Sequence, residues 1–218
     1  MRTTVSRVML PAVVVMAVTA GCSSDSGGAE EDLGKPAGEV CGAFAKDPQP
    51  SAALKAIGGE RFRDDLSDPD EVLQTLRQVA EIEQSAKMGK PRMQGKDFCW
   101  LFPAKGGDDA IRIQFRESLG VPGRDARLAG KVTYFSTGER ASSSDGLTSV
   151  FFKCRMKPPA HEITLQAWFE GPDVPKAPRQ KFRSLQVTVV NAAARKVAAD
   201  LACQNDTKLV TGVPALSP

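Results

Sequence analysis

Five cysteines, a single histidine and a few adjacent carboxylates are the side chains of this 218-residue chain whose types and spacing could carry chemistry. A Ser-His-Asp hydrolase would have to use His161, the only histidine, yet no G-x-S-x-G turn displays a serine. Penicillin-binding chemistry needs S-x-x-K and its partner motifs; these are absent, and Ser136-Thr137-Gly138 carries serine where K-T-G needs lysine. His161 follows Pro158-Pro159-Ala160 and reads as a loop histidine at a strand start. Asp108-Asp109, Asp64-Asp65 and Glu30-Glu31 sit in hydrophilic stretches, where adjacency supplies neither the burial nor the close like charge that raises a carboxyl pKa for acid catalysis. Zinc is disfavoured by the lack of a C-x-x-C pair and of a second histidine. Gly58-Gly59 ends a helical pattern and Gly106-Gly107 reads as a hairpin turn, so no glycine loop is placed to cradle phosphate after a strand. No catalytic, cofactor-binding or metal-binding residue is therefore expected.

The cysteines divide into one and four. Arg2 and Arg7 precede an eleven-residue apolar run, Val8 to Val18, and Thr19-Ala20-Gly21 ends it in small residues before Cys22. Eleven residues fall short of the roughly 20 needed to cross a bilayer as a helix, so residues 1–21 read as a cleaved export signal. The ending resembles the lipobox of bacterial lipoproteins, with Thr19 where leucine is commonest. That resemblance implies a diacylglyceryl group on the Cys22 thiol, a further fatty acid such as palmitate, and an anchor on the outer face of the cytoplasmic membrane. Two or more chains make a persistent anchor, at about 0.8 kcal/mol per buried CH₂. Ordinary secretion after an A-x-A-like site built from Ala17, Thr19 and Ala20 is the alternative. From Ser23 the sequence SSDSGGAEEDLGKPA has little to bury, so residues 22–39 are expected to be the lipidated end and a flexible tether holding the domain about 20 Å from the bilayer.

Cys41, Cys99, Cys154 and Cys203 remain, an even set that favours disulfides in an exported protein. Of three pairings, Cys41 with Cys99 and Cys154 with Cys203 is preferred, because each ties a helical segment to its nearest strand in sequence. Each bridge would close a loop of 50 to 60 residues, worth about 4 kcal/mol in the chain-entropy model.

The elements that must hold these cysteines are legible from periodicity. Ser51 to Ile57 reads as a short helix. Asp68, Pro69 and Glu71 start a second, along which Val72, Leu76, Val79 and Ile82 recur until Gly89. Strands are expected at Phe98–Phe102, Ala110–Arg116, Lys131–Phe135, Thr148–Met156 and Glu162–Phe169. A final helix is expected from Arg179 to Ala202 with Phe182, Leu185, Val189, Ala193, Val197 and Leu201 as its stripe. The run Val187-Thr188-Val189-Val190 would also suit a strand. The segments around Cys99 and Cys154 echo one another: each is a cysteine-bearing strand, a proline, then an alternating strand with Gln at the same phase. Together these give an α+β domain over residues 40–210, an antiparallel sheet with helices on one face, followed by a tail at 211–218.

If Ile111, Ile113 and Phe115 face the core, Arg112, Gln114 and Arg116 face away. If Ile163, Leu165 and Phe169 do, Thr164, Gln166 and Trp168 face away likewise. Arg and Trp are common binding anchors, so these six residues form the candidate contact face. Packing against a helix or cross-strand neighbours is the alternative for them.

Charge excludes little. The chain has 29 Lys+Arg and 26 Asp+Glu, and loss of Arg2 and Arg7 with the signal leaves 27 against 26, which does not imply nucleic acid. Basic clusters at Lys87–Lys96, Lys153–Lys157 and Lys176–Arg183 suit loops and helix ends, with anionic lipid as the alternative.

The succession of lipobox, polar tether, Cys41 before helices, Cys99 and Cys154 in strands and Cys203 after the last helix resembles the cell-surface lipoproteins of unknown function of actinobacteria, Streptomyces-type chains above all. The resemblance implies extracytoplasmic location, disulfides and an α+β sandwich-like domain, and brings no catalytic residue. The expectation is a membrane-anchored binding or accessory module, held by the lipid on Cys22, whose ligand is an envelope protein, glycan or small molecule. An envelope hydrolase of unrecognised type is the alternative.

Overall fold

Eight antiparallel strands lie in one sheet of order β1-β2-β3-β4-β8-β7-β6-β5. The computed structural model describes residues 34–82, 94–106, 110–172 and 178–218. The leader, Cys22, the tether to residue 33, Glu30-Glu31, Asp108-Asp109 and the expected run of the second helix to Gly89 lie outside the described residues. The strands are β1 (Lys35–Pro36), β2 (Arg61–Arg63), β3 (Lys96–Pro103), β4 (Ile111–Ser118), β5 (Thr133–Phe135), β6 (Arg140–Ser143), β7 (Leu147–Cys154) and β8 (Ile163–Glu170). The helices are α1 (Pro48–Gly58), α2 (Pro69–Glu81) and α3 (Arg179–Asp200).

Alternation sorts the side chains of β4, β7 and β8. Ile111, Ile113, Phe115, Val150, Phe152, Leu165, Ala167 and Phe169 enter one core with Leu54, Val72, Leu76, Val187, Val190 and Ala194 of the helices. Among the described residues, α2 and α3 pack on this face of the sheet and α1 packs on α3. α2 begins as its sequence dictates: the Asp68 carboxylate accepts the Glu71 N–H at 2.9 Å and Pro69 occupies the first position, where no N–H is needed. Its buried stripe is Val72, Leu73, Leu76 and Ala80, whereas Ile82 is an extended, exposed C-cap rather than a fourth apolar anchor.

Val187 to Val190 is helical. Every residue from Val187 to Ala194 is buried, because the sheet covers one side of α3 while α1 and the C-terminal segment cover the other. Burial of this kind outweighs the few tenths of a kcal/mol that each β-branched residue costs a helix. α3 ends with Ala202 at φ 55° and the Cys203 N–H donating to Ala198 O at 3.0 Å, a Schellman closure built without glycine.

Both disulfides have the expected pairing, with Cα atoms 5.5 Å apart in Cys41–Cys99 and 5.0 Å in Cys154–Cys203. The two cysteine-bearing hairpins, β3–β4 and β7–β8, lie side by side through the β4–β8 pair. Their registers differ: Cys99 opposes Ile113, but Cys154 opposes Ile163, the counterpart of Ile111.

Four expectations are corrected. The tether does not extend to residue 39, because Lys35–Pro36 pairs with β2 and Ala37 is fully buried. Residues 211–218 are not a free tail: Leu216 bridges to Phe135, and Ser136 and Ser217 exchange backbone hydrogen bonds with Ala215 and Tyr134 at 2.8 and 3.0 Å. Strand β5 starts at Thr133 rather than Lys131. Strand β6 was not expected, since Arg140-Ala141-Ser142-Ser143 lacks the branched or aromatic residues that mark strands.

Candidate functional site: the helix-free face of the sheet

Side chains on the side of the sheet away from the helices line up in rows set by the register. Arg140, Phe151, Gln166 and Arg116 oppose one another across β6, β7, β8 and β4. Tyr134, Ser142, Ser149, Trp168, Gln114 and Asp97 form the next row, and Leu147, Glu170, Arg112 and Trp100 the third. Thr164 lies beyond the first row, opposite Ser118 and Lys153. All six residues of the candidate face are therefore on one surface.

Two arginine–tryptophan stacks dominate it. The Arg112 guanidinium lies 5.0 Å from the Trp100 ring centre and that of Arg116 lies 5.2 Å from Trp168. Trp100 also stacks on Phe102 at 5.5 Å. Each arginine is pinned from the side. Asp97 accepts from Arg112 Nη2 at 2.8 Å and from Gln114 Nε2 at 2.9 Å, with Arg112 Nε completing a fork. Arg116 Nε donates to Gln166 Oε1 at 2.7 Å, and Gln166 Nε2 donates to Ser149 Oγ at 2.9 Å. The Arg112 guanidinium holds the Asp97 carboxyl below the usual carboxylate range against an opposing desolvation, and Gln114 assists.

Asp97 and Trp100 escaped sequence reasoning for different reasons. Trp100 has the outward phase between Cys99 and Leu101, and alternation alone finds it. Asp97 has the phase of Cys99 and Leu101, which points inward. A bulge at Phe98 shifts the register between Asp97 and Cys99, so both Phe98 and Cys99 enter the core while Asp97 turns outward. Phe98 then packs edge-on against Phe115 at 5.3 Å.

Gln166 corrects the expected role of one candidate. It is only 6% exposed and both ends of its amide are engaged, so it positions Arg116 rather than meeting a partner. Arg112, Gln114, Arg116, Thr164 and Trp168 are half-buried.

The residues weighed for catalysis are dispersed. His161 is exposed and its backbone N–H bonds Ala80 O at 2.7 Å. Thr137 is buried against Asn191, which in turn holds Val210 O at 2.7 Å. Asp64 accepts the Cys41 N–H and pairs with Lys35, both at 2.8 Å. Among the described residues no serine, histidine and carboxylate are hydrogen-bonded together, and no three His, Cys, Asp or Glu could share a metal ion. A cleft of about 420 Å³ on the helix side is lined by a single carboxylate, Asp47, which faces Arg195 at 3.5 Å; His161 is not part of it. Among the described residues, no helix is long and apolar enough to cross a membrane. No protein-family model, curated protein or solved structure matches the chain.

Proposed function

We propose that this chain is a lipid-anchored extracytoplasmic binding or accessory module of the cell envelope, and that it meets its partner through the helix-free face. One observation carries the reading: two arginine–tryptophan stacks, four residues apart along β4, are held in place on a face that no helix covers among the described residues. Arg and Trp are the side chains that most often dominate binding energy. Their side-chain entropy is already reduced here by Asp97 and Gln166, which lowers the cost of ordering them on contact. Cys22, ahead of the folded unit, would supply the anchor, and the intervening dozen residues would keep the face within reach of envelope components at about 20 Å.

Covalent crosslinking in intact cells tests the reading. Trp168→Ala and Arg112→Ala should each remove the crosslinked species seen with the unaltered protein, at equal expression and with intact disulfides. An unchanged crosslinking pattern in both variants would overturn it.

A further inference from the structure

We infer that Arg116, together with Arg140 on the same row, forms a binding site for a phosphate group, an inference that rests on the helix-free face being the contact surface. The two stacked arginines differ in how their charge is met. Arg112 is neutralised by Asp97 through a two-point fork, with Glu170 opposite it in register. Arg116 is held at Nε by a neutral amide, and its two terminal nitrogens make no hydrogen bond or ion pair among the described residues. Those nitrogens present the flat two-donor edge that matches the oxygens of an oxyanion.

Arg140 adds a second, independent observation. Its Nη1 is buried and has no hydrogen-bond partner, and the side chain has no carboxylate partner among the described residues. A buried charged donor left without an acceptor is costly, and an anion that drew the guanidinium outward would supply one. Arg140 and Arg116 stand at the two ends of one row, three strand spacings or about 14 Å apart at the backbone. Arg116 leans toward Arg140, since its Nε bonds to Gln166, the next residue in that row. Ser149, which uses its oxygen to accept from Gln166, keeps its own O–H for a ligand. Two guanidiniums on one row, plus a hydroxyl on the next, offer more donors than the two oxygens of a carboxylate use. They suit the three or more oxygens and the higher charge of phosphate.

Trp168 lies under Arg116 and reports on it. The chain has two tryptophans, so Trp100→Phe leaves Trp168 as the sole indole emitter. Titrating that protein with inorganic phosphate should change its emission saturably. Arg116→Gln should weaken the apparent affinity about tenfold or more and Arg140→Gln about threefold, whereas Arg155→Gln should leave it unchanged. Circular dichroism and thermal melts would verify that each variant is folded. Vesicles of phosphatidylglycerol, with phosphatidylcholine as control, form the second arm. A response to the anionic vesicles without one to free phosphate places the group on a lipid headgroup, and the converse places it on a small solute; either supports the site. No response to phosphate or vesicles by folded protein, or a response that survives Arg116→Gln, overturns it. Loss of crosslinks in Trp168→Ala alongside a negative titration would remove the phosphate site and leave the contact face standing.

Discussion

Asp97 accepts from Arg112 across the β3–β4 pair only because Phe98 is inserted as an extra residue between them and the regular ladder. The bulge places an aromatic ring in the core and, in the same step, a carboxylate on the opposite surface, coupling packing to the electrostatics of the helix-free face.

Asp97→Asn should therefore destabilise the domain by about 1–2 kcal/mol at pH 7, the range of a partly exposed charge-assisted pair. The folded-state pKa of Asp97 is depressed below its ordinary value of 3.8, so its contribution is present above that value and lost as pH falls through the folded one. Urea unfolding of both proteins should show the difference at pH 7 and its progressive loss as the pH is lowered below 3.8. A gap that persists undiminished in acid would refute the assignment.

The bridges enclose 58 and 49 residues of sequence separation, and each is worth about 4 kcal/mol in the chain-entropy model, with about 2–4 kcal/mol realised in practice. Replacing Cys154 and Cys203 by serine should lower unfolding stability by that amount. A non-reducing peptide map should join Cys41 to Cys99 and Cys154 to Cys203; free thiols at these positions would contradict the scheme.

At Ala202 the backbone has φ 55°, where a Cβ is strained and glycine is the usual residue. Ala202→Gly should stabilise the domain by up to about 1 kcal/mol, and Ala202→Val should destabilise it. Thermal melts of the two variants in opposite directions are the expected result.

What could be read from the chain follows from the range of the interactions involved. The α2 start was legible because Asp68-Pro69 and Glu71 act within one turn, and α3 because its apolar stripe persists over 22 residues. Both disulfides followed from proximity of each cysteine to a local element. Strands β1 and β2 were not legible, since two and three residues cannot display alternation. Docking of 215–217 along β5 uses main-chain groups, which any sequence supplies. All six candidate face residues read correctly as facing away from the core, because β4 and β8 alternate without interruption. The burial of Gln166 was not legible, since it depends on Arg116 and Ser149 from other strands, and neither was the outward turn of Asp97, since a single inserted residue reverses its phase.

Lipid attachment at Cys22 should be visible as incorporation of a labelled palmitate analogue. Cys22→Ser should abolish labelling and shift the protein from the membrane fraction to the medium or soluble fraction. Retention of the label in the Cys22→Ser protein would exclude this residue as the anchor.

The most direct measurement places a photo-crosslinking amino acid at Gln114 or Thr164, on the helix-free face, and at Lys55, an exposed residue of α1. Irradiation of intact cells should yield discrete adducts from Gln114 and Thr164 and none from Lys55. Adducts from Lys55 alone, or none from the two face positions in correctly bridged protein, would contradict a contact surface on this side of the sheet.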